Sequence, residues 1–167
     1  LAAKIILAAE KEDPENLQLK RFKLQLARLN PKIGPAKALE YWQRLADEFG
    51  DLPGLRLDKA DILVSLNKDK EDKEQLKREL ASLGTGIDKW TTAQKVELWN
   101  GIARTYINLN MIEEARQYLN LVADNQPQEL PVRLALFSMA LEANDAEGMK
   151  SAQDKILQVV GDQNDSA

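Results

Sequence analysis

Apolar residues recur at helical spacing along almost the whole of this 167-residue chain. One set occupies positions i, i+3, i+7 and i+10, which places it on a single side of an α-helix: Leu19, Phe22, Leu26 and Leu29. We expect this side to face a core. No segment shows the two-residue alternation that is typical of a half-buried β-strand. The spacing therefore predicts an all-α fold.

Proline and glycine interrupt the helical spacing at short intervals. Asn30-Pro31 and Gly34-Pro35 separate the first segment from the second, and Pro35 suits the first turn of the helix that follows. Breaks of this kind predict pairs of helices joined by short turns. The predicted pairs span residues 15–50, 54–83, 92–126 and 130–160. A further helix is predicted at residues 1–11 and a flexible tail at 161–167.

The composition argues against several kinds of function. The chain has no cysteine and no histidine, which removes thiolate nucleophiles, imidazole bases and the zinc sites built from them. It also lacks a glycine-rich phosphate loop, so we expect no catalysis, cofactor or metal. Its net charge of −4, with acids and bases interleaved, differs from the clustered basic face of nucleic-acid-binding proteins. No apolar run reaches the roughly eighteen residues of a membrane-spanning helix. We therefore expect neither nucleic acid nor membrane as a partner of this segment.

The most regular spacing lies between Trp99 and Pro127. The pattern is Trp-x2-Ile-Ala-x2-Tyr, then Ala-x3-Leu, then Pro. It resembles the tetratricopeptide repeat, a helix-turn-helix unit of about 34 residues with Trp-x2-Leu-Gly-x2-Tyr, Ala-x3-Phe and Pro at these intervals. The matching residues are Trp99, Ile102, Ala103, Tyr106, Ala115, Leu119 and Pro127. Weaker matches extend the resemblance over about residues 15–160.

The resemblance implies an α-α superhelix, or solenoid, of about four repeats that forms one domain over residues 1–160. Small residues at Ala103 and Ala115 let the two helices of the strongest repeat approach closely. Thr91 and Gln94 have the spacing of a capping box at the start of that repeat. Residues 1–11 would be the second helix of a truncated repeat, in a chain that belongs to a longer protein.

Proteins of this family generally bind an extended peptide or a helix on the concave face of the superhelix. The resemblance therefore implies a non-catalytic scaffold with a protein or peptide partner. Arg104, with a planar fork of donors, suits a carboxylate of such a partner. The residues predicted to line the groove are Lys20, Lys23, Asp61, Asn100, Arg104 and Asn108.

The residues are also compatible with an alternative function. The repeats would then space or oligomerise neighbouring domains within a larger protein, with no ligand in the groove. A helical-repeat reader of RNA would need a strongly basic groove, which the charge pattern does not favour. The loop around Trp90 has two interpretations, because the indole either fills a gap between two hairpins or contacts a partner. The sequence indicates no cellular compartment.

Overall fold

The computed structural model describes residues 2–164, and every regular element in that range is an α-helix. The all-α prediction is confirmed for these residues. No helix among them is both long and apolar enough to span a membrane. The helices are α1 (Ala2–Glu12), α2 (Leu17–Leu29), α3 (Gly34–Phe49), α4 (Pro53–Leu66), α5 (Glu74–Ser82), α6 (Thr92–Asn108), α7 (Ile112–Asn125), α8 (Leu130–Glu142) and α9 (Ala146–Asn164).

The chain divides into two compact units, Leu1–Asp88 and Lys89–Ala167. In the first unit α2 packs on α3, α4 packs on both of them, α1 contacts α2, and α5 contacts α4. In the second unit α6 packs on α7, α7 contacts α8, and α8 packs on α9. Trp90 is half-buried at the start of the second unit, and its role stays a prediction.

The α6–α7 hairpin packs as its spacing predicts. The hydroxyl of Thr91 accepts the backbone N–H of Gln94, whose side chain accepts the backbone N–H of Thr91, so the predicted capping box is confirmed. The helix-facing side chains of the repeat pattern are all buried, and the two alanines are almost inaccessible. Tyr106 stacks on Tyr118 with ring centroids 5.8 Å apart. The close helix contact therefore depends on small residues surrounded by large ones.

The second unit contains two hairpins whose turns lie 34 residues apart in sequence. The two turns have the same geometry. Asn110 and Asn144 both adopt a left-handed backbone conformation, with φ of 57° and 51°. The residue after each asparagine donates its N–H to a carbonyl five residues earlier, at 2.9 Å in both turns. This is the hydrogen bond of a helix C-cap in which asparagine replaces the usual glycine. The spacing equals the length of the predicted repeat.

The predicted core side of α2 is wrong. Phe22 and Leu29 are 59% and 67% exposed, whereas Leu24, which was not in the predicted set, is fully buried. Leu24 packs in a cluster with buried residues of α3 and α4, among them Leu45 and Leu55. The error arises because α2 carries apolar residues on two sides, and periodicity alone does not distinguish which of them faces the neighbouring helices.

The last helix is longer than predicted, because α9 continues to Asn164. Residues 161–164, assigned to the tail, are helical, while residues 165–167 lie outside the described residues. Val159 is buried in the last turns of α9 and holds that part of the helix against the unit. A single glycine at position 161 costs only about 1 kcal/mol in a helix, so it does not end one that is anchored by packing.

Replacing Ala115 by tryptophan should strongly destabilise the second unit. Ala115 is fully buried, so a large ring has no space and should lower the free energy of unfolding by about 3 kcal/mol. Ala146→Trp, at an exposed position at the start of α9, is the control and should change stability little. Thermal unfolding followed by circular dichroism measures both, and equal losses would contradict the packing.

Candidate functional site

The six residues predicted to line a groove fall into two sets of three. Lys20, Lys23 and Asp61 belong to the first unit, and the other three lie on α6 in the second. Arg104 and Asn108 are exposed and Asn100 is half-buried, on the side of α6 away from the buried Trp99. The row is therefore accessible within its own unit, and its binding role stays a prediction.

Lys20 has partners inside its own hairpin. Its ammonium group pairs with the carboxylate of Glu48 and lies 4.7 Å from the centre of the Phe49 ring, both on α3. The hydrogen bond from this ammonium to Glu48 raises the pKa of Lys20 above its ordinary value. These contacts join α2 to α3, which makes Lys20 a structural contact of the hairpin as well as a predicted groove residue.

Asp61 is part of a row of polar contacts between α2 and α4. Its carboxylate accepts a hydrogen bond from Gln25 Nε2 at 3.2 Å, and its backbone carbonyl accepts one from Ser65 Oγ at 2.9 Å. Burial raises the pKa of Asp61, and the nearby Arg28 partly offsets this rise. We call the whole row the α2–α4 polar ladder. Its members are Arg21, Gln25 and Arg28 on α2 and Gly54, Asp58, Asp61 and Ser65 on α4.

The centre of the polar ladder is an ion pair between the half-buried Arg21 and the buried carboxylate of Asp58. The Asp58 side chain is only 6% exposed, and it also accepts from Gln25 Nε2 at 2.9 Å. Arg21 donates a further bond to the carbonyl of Gly54 at 3.0 Å. A Cβ at Gly54 would lie 2.6 Å from the guanidinium, so the glycine permits this close approach. The buried carboxylate is therefore paired and hydrogen-bonded, as a charge in this environment requires.

A cleft opens on another side of α2, between α1 and α3. Its volume is about 420 Å³ and most of its lining is apolar. Lys23, one of the predicted groove residues, lies at this cleft, and its binding role stays a prediction. We call it the α1–α3 cleft. It is lined by Ile6, Lys23, Leu26, Ala27, Asn30, Ile33, Tyr41 and Arg44.

The α1–α3 cleft combines an apolar floor with two cations. The Tyr41 ring has Lys23 Nζ at 5.9 Å and Arg44 Cζ at 5.5 Å from its centre. Beside the cleft, Phe22 and Leu29 flank Leu26 on one side of α2 and remain exposed. We call these three residues the α2 apolar strip. Cleft and strip together present an accessible apolar surface with positive charge beside it.

Sequence reasoning missed most of this surface. Tyr41 and Arg44 are three residues apart on α3, a spacing that places their side chains on one helix face and was available from the sequence. The α2 apolar strip was assigned to the core. No group of three or more acidic residues among those described is arranged to hold a metal ion. The chemistry available at the cleft is therefore apolar packing and charge pairing.

Most of this chain is similar in sequence to part of a known, much longer protein. It is 30% identical over 147 residues to the transcription factor tau 131 kDa subunit of Saccharomyces cerevisiae. The match covers 87% of this chain and 14% of that protein, so the chain spans about one seventh of its relative's length. No family model matches the chain, and no solved structure matches it.

Removing Arg21 from its ion pair with Asp58 should destabilise the first unit. Arg21→Met leaves the Asp58 carboxylate buried without its charge partner, which should lower the free energy of unfolding by about 3 kcal/mol. Adding Asp58→Asn should recover part of this loss, because no unpaired charge then remains. Lys77→Met, in a more exposed pair with Glu74 at 3.4 Å, is the control and should cost less than about 1 kcal/mol. Urea unfolding measures all variants, and an Arg21 variant as stable as the control would contradict the role of this ion pair.

Proposed function

We propose that this chain is a non-catalytic protein-interaction segment of a transcription-factor subunit. It is built from tetratricopeptide-like hairpins, and its first unit binds an amphipathic helix of a protein partner. The observation that carries the proposal is the accessible apolar surface formed by the α1–α3 cleft and the α2 apolar strip.

The character of this surface favours a protein partner. Leucine and phenylalanine side chains that are more than half exposed and border an apolar cleft are a feature of interaction sites rather than of ordinary solvated surface. Phe22, Leu26 and Leu29 stand at i, i+4 and i+7, a row that can pack against the apolar face of a partner helix. The cleft is too open and too apolar to favour a small polar ligand.

The charges beside the cleft indicate the chemistry of the partner. Lys23 and Arg44 are both within 6 Å of the Tyr41 ring centre, on the border of the apolar surface. Carboxylates of a partner would pair with these cations while its apolar side chains enter the cleft. We therefore expect an amphipathic helix whose polar face is acidic next to its apolar face.

The relative supports a role within an assembly. The name of the yeast protein makes it a subunit of a transcription factor, and subunits are held by contacts with other proteins. The equal geometry of the two turns 34 residues apart supports a repeat architecture, which commonly presents such contact surfaces. The polar row on α6, formed by Asn100, Arg104 and Asn108, is a second predicted contact surface.

A photo-cross-linker at position 22 tests the proposed surface. With p-benzoylphenylalanine in place of Phe22, the chain should cross-link in its source cells to an amphipathic segment with acidic residues, mapped by mass spectrometry. Leu29→Glu combined with Arg44→Glu should lower the yield about tenfold, because it places a charge against the apolar face of the bound partner and reverses the charge beside the cleft.

The matched control is Leu157→Glu. Leu157 is 60% exposed on α9, in the other unit, so this change introduces the same residue at a similarly exposed leucine outside the cleft. It should leave the cross-linking yield unchanged. Equal yields for the cleft variant and the control would contradict the proposal. Cross-links only to further copies of this chain would favour the spacer or oligomerisation function.

A further inference from the structure

A second cavity lies entirely within the second unit, between α7, α8 and α9. Its volume is about 250 Å³, enough for one side chain or a small ion and too small for a helix. Its lining includes three cationic residues and no acidic one among the described residues. The lining comprises Arg116, Asn120, Arg133, Leu136, Ala140, Gly148, Ser151, Ala152 and Lys155. We call it the Arg133 cavity.

Arg133 is buried in the wall of this cavity with most of its hydrogen-bonding capacity unused. Only 6% of the residue is exposed, and Nη2 donates to the carbonyl of Ala123 on α7 at 2.9 Å. Nε and Nη1 are also buried, and neither has a hydrogen-bond partner among the described residues. A buried donor that makes no bond is unfavourable, and more so when it carries charge.

Packing alone does not account for an arginine at this position. Arg133 stands 34 residues after Trp99, the spacing that separates the two matching turns of this unit. At the earlier position the buried side chain is an indole. Replacing a buried charge by an apolar residue of similar size is often neutral or stabilising. If the only role of this residue were to fill space between helices, an apolar side chain would therefore be more favourable than arginine.

The other two cations differ in how far they are already paired. Arg116 contacts Asp145 at 3.0 Å and Glu113 at 2.7 Å, so its charge is largely compensated. Lys155 is exposed at the edge of the cavity, and neither carboxylate that pairs with Arg116 belongs to the lining. The positive charge that the cavity can offer to a ligand comes mainly from Arg133 and Lys155.

We propose that the Arg133 cavity binds a small oxyanion, a carboxylate or a phosphate group, through the unused donors of Arg133. Guanidinium groups form charge-assisted hydrogen bonds with both kinds of anion. The aliphatic walls at Leu136 and Ala140 exclude water from one side of the anion, and Lys155 adds charge at the entrance. This site is separate from the cleft of the proposed function and does not depend on it.

Titration of the complete 167-residue chain with inorganic phosphate and, separately, with acetate tests the proposal at constant ionic strength. Nuclear magnetic resonance follows the backbone amides of Gly148 and Ser151, which line the cavity, and the Nε–H of Arg133. At least one anion should shift these signals saturably, and the one that binds more tightly identifies the ligand chemistry.

Arg133→Met should weaken binding about tenfold or more, because it removes charge-assisted hydrogen bonds. The same variant should melt at or above the temperature of the parent, which a purely structural arginine would not allow.

Two further variants make the result decisive. Lys150→Met removes an exposed cation from the same helix as Lys155 without touching the cavity lining, and should leave binding unchanged. Lys155→Glu places a negative charge at the entrance and should weaken binding, which tests the site without changing the buried Arg133. Absence of a saturable shift with either anion would overturn the site. Binding that is unchanged in Lys155→Glu, or in a folded Arg133→Met protein, would do the same.

Discussion

The helices of this chain depend on packing against their neighbours. The described helices have between nine and nineteen residues, and an isolated helix shorter than about 12–15 residues is marginal in water. In α6 and α7 this packing is closest where Ala103 and Ala115 are almost inaccessible, surrounded by Trp99, Tyr106 and Leu119. The stability of each helix therefore comes mainly from contacts with its neighbours. Surfaces that the hairpins leave exposed are available for partners.

The packing of α2 against its neighbours explains why one side of this helix remains exposed. One side, at Leu24, enters the core, and a second, at Arg21, joins α4 through the polar ladder. Because these two sides satisfy the packing and hydrogen bonding of the helix, the third side keeps the α2 apolar strip exposed next to the α1–α3 cleft. The ladder also sets the position of α2 relative to α4, because its hydrogen bonds join defined pairs of polar atoms. Apolar packing alone would define that position less specifically. The polar ladder therefore fixes the orientation of the helix that carries the proposed binding surface.

The sequence predicted the helices well and the surfaces less well. Helix spacing, prolines and glycines locate the breaks, and the six pattern residues from Trp99 to Leu119 are all buried. The pattern does not include Val96, Leu98 and Ala123, which are buried in the same hairpin. The orientation of α2 was not predictable from its period, since two of its sides are apolar. Arg21 and Asp58 are 37 residues apart, and no local pattern shows that two polar side chains will meet inside the fold. Arg133 was detectable in principle, as the only charged residue of an otherwise apolar segment one repeat length after Trp99.

The central claim is that the exposed apolar side of α2 is covered by a protein in the native assembly. Hydroxyl-radical footprinting compares the oxidation of individual side chains in the isolated chain and in the assembly purified from its source cells. Phe22, Leu29 and Tyr41 should be oxidised in the isolated chain and several-fold less in the assembly, while Leu157 should be oxidised equally in both. Equal oxidation of Phe22 and Leu29 in the two states would contradict this claim.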